Sequence, residues 1–171
     1  MPETYRAFID REGHGFTEDG MFHFFGASDS ISHDIEKWND WSVWRHAFPA
    51  IKSEWMSFAQ DVFGNQFFLR RDGKFDRVKM LALWTGTFTI AAGSFQEFIE
   101  CIVVDPEVWM FAREKHRDLV QSGLGDREKE FDHLVHKIPL FLGGDLAASN
   151  FEWCDGAANM SIISQLRTAA L

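Results

Sequence analysis

The sequence predicts an α+β fold on a mostly antiparallel sheet with a meander core, packed with helices, and three observations point to it. Between residues 55 and 90, strand-like apolar runs are punctuated by Gly64-Asn65, Asp72-Gly73 and Thr85-Gly86, as in strands joined one after another. Beyond Gly93 the apolar spacing lengthens from about two residues to the 3.6 of a helix. Strand-rich and helix-rich stretches therefore succeed each other instead of alternating, which distinguishes α+β from α/β. The 171 residues contain no internal repeat, low-complexity tract or linker, so 1–171 reads as a single domain.

Each element has a local reason. Glu3–Arg11 places Tyr5, Phe8 and Ile9 at helical spacing and is closed by Gly13-His14-Gly15. Asp19-Gly20 is a turn signal ahead of a strand at Met21–Phe25. Asp29–Arg45 is acidic, rich in tryptophan and helical in part. Strands follow at Trp55–Ala59 and Gln66–Arg70. Asp72-Gly73 then has the signature of a two-residue type I′ hairpin. In the next run Val78, Met80, Ala82 and Trp84 alternate with Arg77, Lys79, Leu81 and Leu83, so one face is expected to be buried and the other partly wet. Phe88-Thr89-Ile90 opens the third strand of the meander. Ser94 and Glu97 form a capping box for a helix whose apolar stripe is Phe95, Phe98, Ile99 and Ile102. Asp105-Pro106 starts a second helix, with Arg113, Lys115, His116 and Arg117 near its negative end. A third helix is expected over Asp126–His136, burying Phe131, Leu134 and Val135 before Pro139. Phe151–Cys154 returns to the sheet, and Met160, Ile163 and Leu166 mark a C-terminal helix.

Composition excludes several classes of function. Lys and Arg number 17 against 26 Asp and Glu, a net charge of −9, which disfavours binding to nucleic acid or to anionic lipid. No run approaches the ~18 consecutive apolar residues of a membrane helix. The opening Met-Pro-Glu-Thr-Tyr-Arg lacks a charged-then-apolar signal pattern. Cys101 and Cys154 share no Cys-x-x-Cys spacing and read as small, reduced core residues, so the expected location is the cytoplasm. The 18 Phe and 7 Trp against one Tyr are the odd feature, because such rings need burial or a partner.

The usual chemical constellations are weak. His133 and His136, beside Asp132, would share one side of the third helix, but zinc needs a fuller ligand set and a solvated helix face is the simpler reading. Gly93-Ser94 is a helix cap, not a strained nucleophile elbow. Cys101 lies beside an apolar stripe that would not stabilise a thiolate. Gly143-Gly144 lacks a following Lys-Ser/Thr and is followed by Asp145, so it reads as a tight turn and not a phosphate cradle. No catalytic, cofactor-binding or metal-ligating residue is assigned.

A surface signal remains. Asp29, Asp34, Glu36 and Asp40 stand against Lys37 alone, with Trp38, Trp41 and Trp44 interleaved at i, i+3 and i+6. One reading is a buried helical stripe. The other is a protein-binding face made by Asp29, Asp34, Glu36, Trp38, Asp40 and Trp41, because interfaces enrich tryptophan and acidic charge speeds association with a basic partner.

Several blocks, in order, resemble one known group of proteins. Pro2–Ile9 through Gly13 is similar to its opening helix. Phe58-Ala59-Gln60-Asp61-Val62-Phe63-Gly64-Asn65-Gln66-Phe67, the most specific block, is similar to its strand–turn–strand core. Gly93–Ile99 looks like the helix after the meander, and Lys137–Gly144 with Asn150 looks like the C-terminal segment of a bacterial subgroup. On these blocks the chain resembles the SUKH superfamily, which includes a fungal cell-wall synthesis regulator and many bacterial toxin-immunity proteins. Members usually carry a further helix ahead of the segment matched here by Pro2–Ile9. A second immunity family, with a GAD-like domain, ends in a similar proline-to-diglycine stretch, so both stay open on that segment. The resemblance implies an α+β fold, no catalysis, no cofactor, and a cognate toxin, often a nuclease, as partner. Inhibition would be occlusion of a basic groove by an acidic face. A regulatory scaffold in a larger assembly and a small-ligand-binding domain with an aromatic-lined pocket are the alternatives.

Overall fold

A computed structural model describes residues 1–29, 31, 33–74, 77–105, 110–124 and 132–169. Six strands run in sequence order through one antiparallel sheet: β1 (Gly15–Phe16), β2 (Phe22–Phe24), β3 (Trp55–Asp61), β4 (Gln66–Arg70), β5 (Val78–Ala82) and β6 (Thr87–Ala92). The fold is α+β, and the meander is longer than the three strands expected.

Phenylalanine abundance follows from the layering. Adjacent residues of a strand face opposite sides, and here both sides are covered. On one side Phe58 and Phe67 meet Phe98, and Phe58 also packs on Tyr5 and Phe95, the rings of α1 (Glu3–Glu12) and α3 (Phe95–Glu97) with its π-helical continuation Phe98–Val104. On the other, Phe68 packs on Trp44 and Phe88, while Phe25 stacks on Trp38 of α2 (Ile35–Trp38). Met56 to Asp61 are all buried, and the polar members Ser57, Gln60 and Asp61 are hydrogen-bonded to Gln66 and Asn65, as buried polar groups must be. The sole tyrosine of the chain joins the layers: Tyr5 Oη lies 2.6 Å from the Phe25 carbonyl and 2.8 Å from that of Phe58, and burial holds its pKa well above the usual value.

The turn between β3 and β4 is the Asp61–Asn65 part of the Phe58–Phe67 block. Asp61 accepts from the backbone N–H groups of Phe63 and Asn65 and from Asn65 Nδ2, and Asn65 Oδ1 accepts from Leu83 N on the neighbouring strand connection. Gly64 is obligatory here. Its φ is +85°, and a Cβ would lie 2.7 Å from His133 Nδ1 and 2.8 Å from Leu83 Cδ2.

Four expectations about the strands and helices are corrected. Asp72-Gly73 is no two-residue hairpin: the register Gln66↔Leu81 to Phe68↔Lys79 leaves a longer connection, and of the pair only Gly73 has positive φ, whereas a type I′ turn requires both. Burial over residues 77–84 does not follow one alternating set: Val78, Leu81 and Leu83 are the buried residues, and beside Val78 the register with β6 shifts, with Ala91 as the extra residue on β6. Residues 132–136 of the expected third helix form β7 (Asp132–His136), and 126–131 lie outside the described residues. Finally, β8 (Phe151–Asp155) pairs with β7 in a second, two-stranded antiparallel sheet and does not rejoin the main one. Leu134 N donates to the Val62 carbonyl at 2.8 Å, docking this small sheet onto the end of β3.

The capping box forms with a variation. Ser94 Oγ accepts from Glu97 N at 3.0 Å, while the Glu97 carboxylate reaches one residue further back to Gly93 N at 2.8 Å. The second helix is observed as α4 (Met110–Leu119); residues 106–109 lie outside the described set. Arg113 serves the preceding helix instead of its own, donating to the Val103 and Asp105 carbonyls and pairing with Asp19 at 2.9 Å. The C-terminal helix is α5 (Gly156–Ala169), with Met160 and Ile163 buried. Neither cysteine is in a disulfide, but Cys101 is exposed and Cys154 half-buried, so the buried-core reading of the cysteines does not hold.

Candidate functional site

The acidic tryptophan segment is a short helix held by its own charges. Asp34 is the N-cap of α2, accepting from Glu36 N and Lys37 N through one oxygen and from Ser28 N through the other, and its carboxyl is held below the usual range by these donors against the opposing effect of burial. Lys37 Nζ donates to the Ser28 and Asp29 carbonyls, fastening the preceding loop to the helix. Glu36 pairs with Arg71 at 3.2 Å. Asp40 accepts from the hydroxyl and the N–H of Ser42, which lowers its pKa.

The three tryptophans do not share one environment. Trp38 is 1% exposed and donates to Gln66 Oε1 at 2.9 Å; Trp44 is fully buried and donates to the Trp38 carbonyl at 2.8 Å. Trp41 is 50% exposed. Trp38 therefore leaves the candidate face, because its ring and N–H are spent in the core, and Asp34 is spent largely on the cap. Asp29, Glu36, Asp40 and Trp41 remain at the surface. Beneath them, buried Arg45 donates to Asn39 Oδ1 and the Lys52 carbonyl, and Asn39 bonds both the N–H and the carbonyl of Ser57, so the segment is tied to β3.

The histidines expected on a solvated helix face are buried. His133 Nε2 lies 3.0 Å from Gln60 Oε1, which also accepts from Gln66 Nε2, and His133 Nδ1 lies 3.2 Å from Asn159 Nδ2. An amide oxygen on one side and an amide nitrogen on the other hold both ring nitrogens in hydrogen bonds. This is a structural polar network that continues through Gln66 to Trp38 and Ser57. Among the described residues no group of three or more His, Cys, Asp and Glu side chains is placed to hold a metal.

Sequence reasoning missed a pocket at the seam of the two sheets. Its floor is the His136 ring, set edge-on to Trp84 with centroids 3.8 Å apart and tilted against Phe151 at 4.1 Å. Phe63 completes the wall, and Phe111, Leu140 and Leu146 form a rim. The cavity measures about 210 Å³. His136 is 8% exposed, neither ring nitrogen has a hydrogen-bond partner, and burial, aided by the Lys115 charge, pushes its pKa down to about 4. Lys115 stands at the mouth, donating to the Leu146 carbonyl with its ammonium 5.3 Å from the Phe151 ring centroid. The lining comes from positions 63 to 151, so no local motif could have announced it; the signal available was the exposed apolar run of the Ile138–Leu142 loop.

This loop is built around Asn150. Its Oδ1 accepts from Ile138 N, and its Nδ2 donates to the Ile138 and Asp145 carbonyls. Gly144 is required because a Cβ there would fall 1.8 Å from the Ile138 oxygen. The diglycine is a close backbone approach, in agreement with the tight-turn reading.

No family model and no curated protein matches the chain. Among solved structures it is similar to the crystal structure of Atu4351 from Agrobacterium tumefaciens, with a TM-score of 0.65 and 20% identity, over 96% of this chain and 76% of that one. At that identity the likeness is one of fold. The fold and site thus define an α+β chain with an acidic, tryptophan-bearing segment and an aromatic pocket. No helix among the described residues is long and apolar enough to cross a membrane.

Proposed function

We propose that this chain is a non-catalytic immunity protein of the cytoplasm that neutralises a cognate basic toxin, such as a nuclease, by covering its substrate groove. The observation that carries the reading is the mounting of Trp41. An indole half in water costs solvation free energy unless a partner covers it, and this one projects from a segment anchored by two buried tryptophans and a buried arginine. Asp29, Glu36 and Asp40 precede it in the chain and are exposed. An exposed aromatic side chain on an anchored, acidic segment is the pattern of an interface hot spot with electrostatic steering. The net charge of −9 and the order of the resembling blocks support the same reading.

The test is co-expression with the product of the adjacent upstream gene. Neutralisation of that product's toxicity and recovery of a stable complex are expected, with association slowing as salt rises. Trp41→Ala is expected to weaken the complex by more than about 2 kcal/mol, as hot-spot truncations do. A harmless neighbour that forms no complex would remove the proposal.

A further inference from the structure

The pocket floored by His136, Trp84 and Phe151 is a second binding surface, and its chemistry specifies an occupant. An apolar cavity of about 150 Å³ already takes a benzene ring, so 210 Å³ accommodates one phenylalanine- or leucine-sized group. Away from Lys115 the lining is largely apolar: both His136 nitrogens are closed to solvent, and the Asn65 amide is engaged with Leu83 N and Asp61. The ring is also neutral at pH 7, with its pKa pushed down to about 4. The inserted group is therefore apolar.

The exposed apolar surface does not stop at the cavity. Phe111 on the rim is 71% exposed, Leu146 46% and Leu140 42%, and the loop continues through Leu142 at 50%. A free small molecule would fill the hole and leave that rim in water, whereas a protein segment covers both. Charge supplies the remaining specificity. Lys115 uses one of its three N–H donors on the Leu146 carbonyl, so the cation at the mouth keeps two for an incoming carboxylate. A lipid surface fits less well, since Asp145, close enough to act on His136, would be driven towards the headgroups with the loop.

We propose that this pocket docks a segment of the bound partner protein that presents one phenylalanine or leucine side chain with an acidic residue next to it. The inference rests on the reading of the chain as a protein-binding module, but it concerns a set of residues that does not include Trp41 and needs no identified partner to be tested.

Three blocked peptides serve as probes for the intact chain: Ac-Gly-Glu-Phe-Gly-NH2, its Gln-Phe analogue and its Glu-Ala analogue. Binding is followed by NMR at the His136 ring and the Trp84 indole. The Glu-Phe peptide should shift both signals at millimolar concentration, the Glu-Ala peptide should not, and the Gln-Phe peptide should bind about threefold or more weakly, as expected for an exposed ion pair. Lys115→Met keeps the aliphatic stem and should bring the Glu-Phe and Gln-Phe peptides to equal affinity. The exposed position of Phe111 makes Phe111→Ala a second variant with little folding risk, and it should weaken both phenylalanine peptides. No shift with any peptide, equal shifts with Glu-Ala, or a preference that survives Lys115→Met would overturn the proposal. So would a Trp84 response to phosphatidylcholine vesicles in place of peptide, which would make the rim a lipid contact. Failure here with toxin neutralisation intact would sink the pocket alone; the reverse would sink the immunity reading alone.

Discussion

Trp38 and Trp44 are closed to water and each donates its indole N–H to a buried acceptor, whereas Trp41, between them, leaves half its surface in solvent. Truncation should separate these roles. Trp38→Ala or Trp44→Ala is expected to cost about 3–5 kcal/mol in a urea unfolding experiment, while Trp41→Ala should change stability by under about 1 kcal/mol and act on binding instead. The i, i+3, i+6 spacing could not reveal this division, because the chain leaves the helix after Trp38 and Trp41 falls in the following turns. His136 makes a pH prediction. Its folded pKa of about 4 lies below the ~6.5 of an exposed imidazole. The unfolded chain therefore binds more protons between these values, and the contribution is intact above pH 6.5 and lost as pH falls towards 4. Asp61, whose carboxyl burial raises to about 7, contributes with the opposite sign over a similar range. The test is accordingly a difference: His136→Phe should lose less stability than the parent chain between pH 7 and 4.5, by about 2 kcal/mol, from urea midpoints at the two pH values. Parallel pH profiles would show that the imidazole is not desolvated as described.

At the scale of elements, local chemistry determined what could be read. The strands from Trp55 to Ile90 carry β-prone residues between turn signals, and the cap at Ser94 is a matter of four neighbouring residues; both are observed. Ser94→Ala should therefore cost about 1 kcal/mol of unfolding free energy. β7 was illegible for the opposite reason. Phe131, Leu134 and Val135 have helical spacing, and five residues are too few to separate the two periods. What makes the segment a strand is distant: pairing with Phe151–Asp155 and the bond from Leu134 N to the Val62 carbonyl. His133 then enters the core against Gly64, where a methyl group cannot fit. Gly64→Ala is expected to destabilise the chain by about 2 kcal/mol or more, combining positive φ with overpacking. An NMR spectrum of that variant should show its largest changes at His133 and Leu83.

Over the whole molecule, the aromatic excess resolves into two unequal parts. Among the described residues most of the phenylalanine packs in the core, so it serves stability, while Trp41, and Phe111 with the 138–146 loop, are exposed. The acidic segment was legible because its residues are neighbours in sequence. The pocket was not, because six stretches of chain from Phe63 to Phe151 meet only in the fold. An acidic surface of this kind is expected to raise the association rate with a basic partner by about 10- to 1,000-fold at low salt. That advantage should fade as the screening length shortens from ~30 Å at 0.01 M to ~8 Å at 0.15 M. The most direct measurement is a neutralisation titration, in which this chain is added stepwise to the purified product of the adjacent upstream gene and that product's toxic activity is followed. Activity should fall to baseline near one equivalent, and Trp41→Ala, folded as stably as the parent, should need a large excess. Activity that persists with many equivalents of the parent chain would rule out neutralisation by this protein.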